Sequence, residues 1–206
     1  MRDGGRPAIR RLLLNLRRSQ TGACYDCAVE LSPDAKGAFK VQSYAPAPRI
    51  EGVEVVELAR HHDDGGAITE LARLSDGRTQ APAGFTVRQV NDSEIEPGVI
   101  KAFHLHVRQT DVWYVPPSDR MLLVLVDVRK GSPTEGAQMR LMLGDGSSRL
   151  VRIPPGVAHG VRNLGSNPGR VIYFADVLFT AEPAACDEGR LPWDYVGADV
   201  WDVARG

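Results

Sequence analysis

The 206-residue sequence lacks long apolar runs, an excess of either charge and a large set of cysteines. No apolar run approaches the roughly 18 residues that a transmembrane helix needs, so no membrane-spanning segment is predicted. The chain has 25 basic and 26 acidic side chains, for a net charge of −1. This balance argues against a dedicated nucleic-acid binder, which usually carries a strong basic excess. Three cysteines are too few for a disulfide scaffold.

The cysteines and the basic N-terminal segment predict a cytoplasmic chain. Cys24, Cys27 and Cys186 form an odd set, and no signal-peptide pattern precedes them, so a reducing compartment is expected. Cys24 and Cys27 have the C-x-x-C spacing but no second pair at zinc spacing, which favours incidental thiols over a zinc or redox site. Apolar residues within 9–16 recur at helical spacing and predict a short basic amphipathic helix. A solvated arm or subunit contact is favoured there over a membrane-surface or nucleic-acid role.

The 21 glycines and 14 prolines punctuate many short β-type runs. A proline-stiffened segment at 44–49 divides a mixed N-terminal extension, residues 1–49, from a domain over 50–206. Polar and apolar residues alternate over Phe85–Val90, and aliphatic runs follow at Val112–Val115 and Met121–Val128. Short strands separated by turns predict an all-β, antiparallel sandwich, jelly roll or barrel.

Three of the five histidines form a pattern with chemical meaning. His104 and His106 are two residues apart in a predicted strand, so both imidazoles face one side of the sheet. Two imidazoles suit a metal or acid–base site better than an apolar core, and Asp111 and His159 follow. The alternative is that these histidines only form hydrogen bonds within a polar interior. His61 and His62 belong to a polar turn and are expected to be solvated.

These residues resemble the two motifs of the cupin superfamily. The first motif is matched by Gly98, His104, His106 and Asp111, and the second by Pro154, Gly156, His159 and Asn163. The resemblance implies an antiparallel jelly-roll (cupin) barrel. It also implies a possible divalent ion (Zn, Fe, Mn or Ni) held by His104, His106, Asp111 and His159.

Residues 50–203 also resemble the dTDP-4-dehydrorhamnose 3,5-epimerases, which are cupin-fold enzymes of sugar nucleotides. The similarity is particularly specific in the segment Val126–Thr134. It implies a homodimeric epimerase or isomerase of a sugar or sugar nucleotide that needs no cofactor. The residues that it assigns are His104 as base, Tyr173 as acid, and Gln89, Asn91 and Lys101 toward the substrate.

Two further aromatic residues and three departures from the epimerase pattern leave other functions open. Trp113 or Tyr114 faces the pocket, to stack on substrate or to pack in the core. Gly65 stands where the family has a phosphate-binding arginine, His106 replaces a glutamine, and Asp111 lies where an active-site lysine is expected. The alternatives are therefore a metal-dependent cupin isomerase, lyase or dioxygenase, or a non-catalytic sugar-binding cupin. No nucleic-acid or membrane partner is predicted.

Overall fold

The computed structural model describes residues 29–42, 44 and 46–203, and the chain divides into two compact units, 1–45 and 46–206. The predicted boundary, between residues 49 and 50, lies just after this division. In the first unit, helix α1 (Pro33–Ala38) begins after Ser32, whose Oγ accepts a hydrogen bond from the Ala35 amide at 3.3 Å. The predicted helix at 9–16 and the Cys24–Cys27 pair lie outside the described residues. None of the described helices has the length and apolarity to span a bilayer.

The second unit is built from short strands. In chain order they are β1 (Glu54–Glu57), β2 (Arg60–Asp63), β3 (Gly66–Thr69), β4 (Leu74–Ser75), β5 (Arg78–Thr79), β6 (Gln89–Ile95), β7 (Ile100–Leu105), β8 (Asp111–Tyr114), β9 (Arg120–Asp127), β10 (Gln138–Gly144), β11 (Arg149–Ile153), β12 (Val157–Asn163), β13 (Gly169–Ala175) and β14 (Gly189–Arg190). A short 3₁₀ helix, Ala198–Trp201, follows them.

Two five-stranded antiparallel sheets carry the fold. The first sheet has the order β1-β11-β8-β13-β6, and the second has the order β10-β9-β12-β7-β14. Consecutive strands are often in different sheets, which gives the jelly-roll connectivity. The prediction of an all-β antiparallel jelly roll of the cupin type is confirmed.

Apolar clusters cover both faces of β9, which explains its unbroken apolar run. Met121, Leu123 and Leu125 enter the inner core, shared with strands of the first sheet. Leu122 and Val124 point the other way, into a cluster that includes Trp201 of the 3₁₀ helix. Because both faces are covered, β9 shows no polar–apolar alternation.

Two local predictions were wrong. The strand expected from Phe85 begins only at Gln89, because Phe85 packs on the outer face of the first sheet and its carbonyl accepts a bond from the Thr79 amide at 2.8 Å. His61 and His62 lie on strand β2 of the β2–β3 hairpin rather than in a turn, although their side chains are exposed as expected.

A buried carboxylate organises the loop after β9. Both oxygens of Asp127 accept bonds from the Arg129 guanidinium at 2.8 Å, and Oδ2 also accepts from Ser132 Oγ at 2.6 Å and Thr134 Oγ1 at 2.7 Å. The bonds from Arg129, Ser132 and Thr134 hold the pKa of Asp127 far below its usual range, despite the opposing effect of burial. The Val126–Thr134 segment is therefore the end of β9 followed by a loop that these bonds hold in place.

We expect Asp127→Asn to lower the free energy of unfolding by about 3 kcal/mol, because it breaks a buried ion pair and leaves Arg129 without its counter-charge. Urea denaturation at pH 7 measures the loss. The matched control is Asp92→Asn, whose exposed carboxylate meets Arg170 at 2.7 Å and should cost less than about 1 kcal/mol. Equal losses in the two variants would contradict the assignment.

Candidate active site

A cavity of about 270 Å³ lies between the two sheets. All nine predicted site residues line it: Gln89, Asn91, Lys101, His104, His106, Asp111, Trp113, His159 and Tyr173. The structure thus brings together residues from both predicted motifs. The roles assigned to them remain predictions.

Strand register explains why these side chains share one cavity. In the first sheet, Tyr173 of β13 pairs with Asn91 of β6 on one side and with Trp113 of β8 on the other. In the second sheet, His159 of β12 pairs with His104 of β7. Directly paired residues point to the same face of a sheet, so each sheet presents a polar row to the cavity.

The close approach of β12 and β7 depends on a glycine. A Cβ at Gly160 would collide with the side chain of Ala102 on the opposing strand. The register between these strands also shifts between His159 and Val161. Glycine at this position lets the two backbones meet beside the paired histidines.

His104 is held as a neutral imidazole beside a carboxylate. Its Nδ1 lies 3.4 Å from Glu188 Oε1, and the two side chains are 24% and 35% exposed. Burial lowers the pKa of His104 to about 4, and the charges of His159 and Arg190 act in the same direction, whereas Glu188 opposes them. At neutral pH the ring is therefore unprotonated and able to accept a proton.

Tyr173, in contrast to His104, has a raised pKa and keeps its hydroxyl proton at neutral pH. Burial raises the pKa of Tyr173, and the carboxylates of Asp111 and Glu188 add to the effect. The ring packs against Trp113, with 6.1 Å between ring centroids. The cavity thus holds a neutral imidazole, with one ring nitrogen free to accept a proton, on one sheet and a protonated phenol on the other.

His106, Asp111 and His159 form a buried trio deeper in the site. Each offers one ligand atom, and these three atoms lie within 4.8 Å of one another. Burial alone raises the pKa of Asp111, but the neighbouring His159, His106 and Gln109 outweigh it and hold the pKa below its ordinary value. Two imidazoles and a carboxylate suit a divalent transition-metal ion. His104, the fourth predicted ligand, is not in this group.

The predicted substrate-binding side chains also line the cavity. Gln89 Nε2 donates to Asn91 Oδ1 at 2.9 Å, and its side-chain Oε1 accepts from the Phe179 amide at 2.9 Å. Lys101 Nζ donates to the Glu94 carbonyl at 2.7 Å. Trp113 is 6% exposed and contributes to the inner core as well as to the cavity wall, while Tyr114 packs on the outer face of its sheet.

Sequence reasoning missed the acidic pair Asp187 and Glu188. The buried Asp187 carboxylate accepts from the backbone amides of Val107, Arg108 and Gln109 at 3.3, 2.9 and 2.7 Å, which fixes the loop after His106. Glu188 reaches His104 because the next residues form β14, which pairs with β7. Nothing in the local sequence marks either acid, since the contact depends on a pairing about 80 residues away along the chain.

Comparisons with known proteins point to one enzyme family. The family model described as dTDP-4-dehydrorhamnose 3,5-epimerase matches residues 47–194. The spore coat polysaccharide biosynthesis protein SpsL of Bacillus subtilis is 39% identical over 145 residues, which span 70% of this chain and 91% of SpsL. The dTDP-4-dehydrorhamnose 3,5-epimerase of Mycobacterium tuberculosis is 35% identical over 65% of this chain and 66% of the relative. The crystal structure of a dTDP sugar isomerase from Desulfovibrio desulfuricans superposes with a TM-score of 0.62 at 28% identity, covering 73% of this chain and 95% of the other.

Proposed function

The chain belongs to the dTDP-4-dehydrorhamnose 3,5-epimerase family, and on that basis we propose that it epimerises a 4-keto sugar nucleotide at a carbon beside the ketone. One observation carries the assignment of roles. His104 of the second sheet and Tyr173 of the first sheet line the same cavity, and their pKa values are shifted so that one accepts and the other donates a proton.

The reaction is a proton exchange between two faces of one carbon. The neutral His104 imidazole removes the C–H proton, and the electron pair of that bond passes into the ketone to form an enolate. The Tyr173 phenol then gives its proton to the opposite face of the carbon, which inverts the centre. Solvent afterwards removes the proton from His104 and restores the one on Tyr173. No electron leaves the sugar, so this chemistry needs no redox cofactor.

The substrate assignment rests on the polar residues of the cavity wall. Among the described lining residues, Lys101 is the only lysine or arginine, so it is our proposed contact for the diphosphate. Gln89 and Asn91 present amide groups that suit sugar hydroxyls, and Trp113 offers an aromatic surface to the ring. The expected homodimer remains a prediction.

Exchange with solvent tests the proposal directly. Incubating the protein with a dTDP-linked 4-keto-6-deoxy sugar in deuterated water should place deuterium at one or both carbons that flank the ketone, as followed by NMR. The same assay with the corresponding UDP, GDP and CDP sugars defines nucleotide preference. If the protein bound such a sugar without exchanging any proton, the non-catalytic alternative would replace the epimerase assignment.

Glu188 is proposed as a positioning residue that acts through His104, and the pH profile tests this role. With a His104 pKa of about 4, kcat/KM should stay flat from pH 7.5 down to about 5, without the inflection near pH 6.5 that an ordinary histidine gives. Because Glu188 raises the His104 pKa, Glu188→Gln should move the acidic inflection to lower pH. The loss of ring orientation should also reduce kcat about tenfold with KM nearly unchanged.

Glu96→Gln is the matched control, since Glu96 is an exposed acid in a loop away from the cavity. It should leave both kcat and the inflection in place. A wild-type inflection between pH 6 and 7 would contradict the low His104 pKa. An unchanged profile in Glu188→Gln would contradict the positioning role.

A further inference from the structure

A row of three paired residues runs across the second sheet to its edge. His159 of β12 pairs with His104 of β7, and His104 in turn pairs with Arg190 of β14. Directly paired residues project from the same face of a sheet, so Arg190 extends the polar row that the two histidines begin. Strand β14 is the last strand of this sheet. Arg190 therefore stands on the cavity side of the sheet, at its edge.

The Arg190 side chain meets the cavity wall at Glu188. Arg190 Nη2 lies 3.4 Å from Glu188 Oε1, and the same oxygen lies 3.4 Å from His104 Nδ1. Glu188 and His104 both line the cavity. The guanidinium is thus separated from the proposed base by a single carboxylate, beside the place where the substrate must lie.

Most of the hydrogen-bonding capacity of Arg190 is unused. Its side chain is 64% exposed, and the long contact with Glu188 is the only ion pair or hydrogen bond that it makes with the described residues. Arg108, close by in the chain to His106, is by contrast bound to Asp187 and to the Ala185 carbonyl. A guanidinium presents its N–H donors as a planar fork that matches the oxygens of a phosphate. Arg190 has such donors available next to the cavity.

The charge of the cavity wall indicates what these donors would bind. Among the lining residues that the structure describes, Asp111, Asp187 and Glu188 carry carboxylates, whereas Lys101 alone carries an ammonium group. Lys101 is also partly engaged, because its Nζ donates to the Glu94 carbonyl at 2.7 Å. An acidic wall repels an anionic ligand, and each phosphate of a sugar nucleotide is negatively charged. A diphosphate therefore needs a further cation beside this wall.

We propose that Arg190 binds the diphosphate of the substrate and makes the site selective for sugars carried on a nucleoside diphosphate. The identity of this ligand rests on the proposed function. When the ligand binds, the guanidinium turns from Glu188 to the phosphate oxygens, while Glu188 keeps its contact with His104. Arg190 is thus a substrate-binding residue, and Glu188 remains the residue that positions the base.

Titration calorimetry of the full-length protein with dTDP and with UDP tests the site. Arg190→Gln should raise the Kd of whichever diphosphate binds by about tenfold, because charge-assisted hydrogen bonds are lost. Arg190→Glu should raise it by about 100-fold, because it places a like charge against the ligand. Arg190→Lys keeps the charge without the fork and should recover part of the loss.

Glu188→Gln distinguishes a phosphate contact from an effect transmitted through the carboxylate. Removing the Glu188 charge frees the guanidinium and makes the wall less acidic, so the diphosphate should bind at least as tightly as it does to the parent protein. If Arg190 acted only by orienting Glu188, Glu188→Gln and Arg190→Gln would weaken binding alike.

Arg170→Gln is the matched control. Arg170 is 54% exposed and paired with Asp92, but it precedes the cavity-lining Val171 on β13 and so points to the other face of its sheet. This variant should bind the diphosphate like the parent. A parent that binds neither diphosphate at millimolar concentration, or undiminished binding in an Arg190→Gln variant that is folded by circular dichroism, would overturn the assignment. Binding that depends on Arg190 without proton exchange from any keto sugar nucleotide would instead refute the proposed function and leave the diphosphate site standing.

Discussion

Replacing His104 with alanine is expected to lower both epimerisation and proton exchange by about 10³-fold or more, the upper part of the range for loss of a general base. Removal of the C–H proton beside the ketone needs a base placed at the reacting carbon. His104 is the imidazole whose low pKa keeps it unprotonated at neutral pH. The initial rate of deuterium incorporation at pH 7.5 measures the loss without requiring the product to be identified.

Two controls separate chemistry from structure in this experiment. His62→Ala removes an exposed histidine of the β2–β3 hairpin and should leave the exchange rate unchanged. His104 is partly exposed to the cavity, so His104→Ala should keep the parent's unfolding temperature within a few degrees. If exchange in a folded His104→Ala variant stayed within tenfold of the parent rate, a different group would be the base.

The result for His104→Ala also tests whether a histidine of the buried trio, His106 or His159, is the base instead. His106 and His159 both lie near His104, with ring centroids of His104 and His159 6.1 Å apart. If either of them were the base, its Nε2 lone pair would have to be free for substrate. Both Nε2 atoms instead face the Asp111 carboxylate. Retained exchange in His104→Ala combined with loss in His159→Gln would reverse this division of roles.

The sequence predicts which candidate residues share the cavity best where they are close together in the chain. Alternation along a strand predicts that His104 and His106 share one face, and both side chains line the cavity although His106 lies just past the end of β7. The proline–glycine turn before β12 likewise indicates where His159 enters the sheet. These are local consequences of backbone geometry, which a pattern of residue types can carry.

Contacts made by chain segments far apart in sequence could not be predicted in this way. Glu188 reaches His104 only because Arg190 pairs with His104 across β14 and β7. His104 faces this carboxylate and stands apart from the buried trio of His106, Asp111 and His159. Neither arrangement is encoded in the spacing of the histidines.

The segment that begins at Phe85 shows the same limit of prediction from sequence. Alternation over Phe85–Val90 is a sound strand signal, yet Phe85 is 2% exposed in a loop that covers the outer face of the first sheet. Any segment that packs its apolar side chains on a sheet can show the same period. Whether it joins the sheet or covers it is decided by the hydrogen-bond partners that the rest of the chain leaves available.

Tyr173→Phe is expected to separate inversion from exchange. The substitution removes only the hydroxyl, so the packing of the ring against Trp113 should be preserved. Without the acid, epimerisation should fall by about 10³-fold. His104 still forms the enolate, and its acquired proton exchanges with solvent before it returns to the same face of the carbon. Deuterium should therefore continue to enter with retention of configuration.

The measured quantity is the ratio of deuterium incorporation to epimer formation, followed in one NMR time course. It should rise by at least tenfold in Tyr173→Phe and stay at the parent value in Tyr114→Phe. Tyr114 is the matched control because it lies on β8 next to Trp113 but packs into the outer cluster. Equal losses of exchange and inversion in Tyr173→Phe would mean that the phenol assists proton removal itself, for example by hydrogen bonding to the enolate oxygen. If neither exchange nor inversion decreased in Tyr173→Phe, the acid would be another group on the cavity wall.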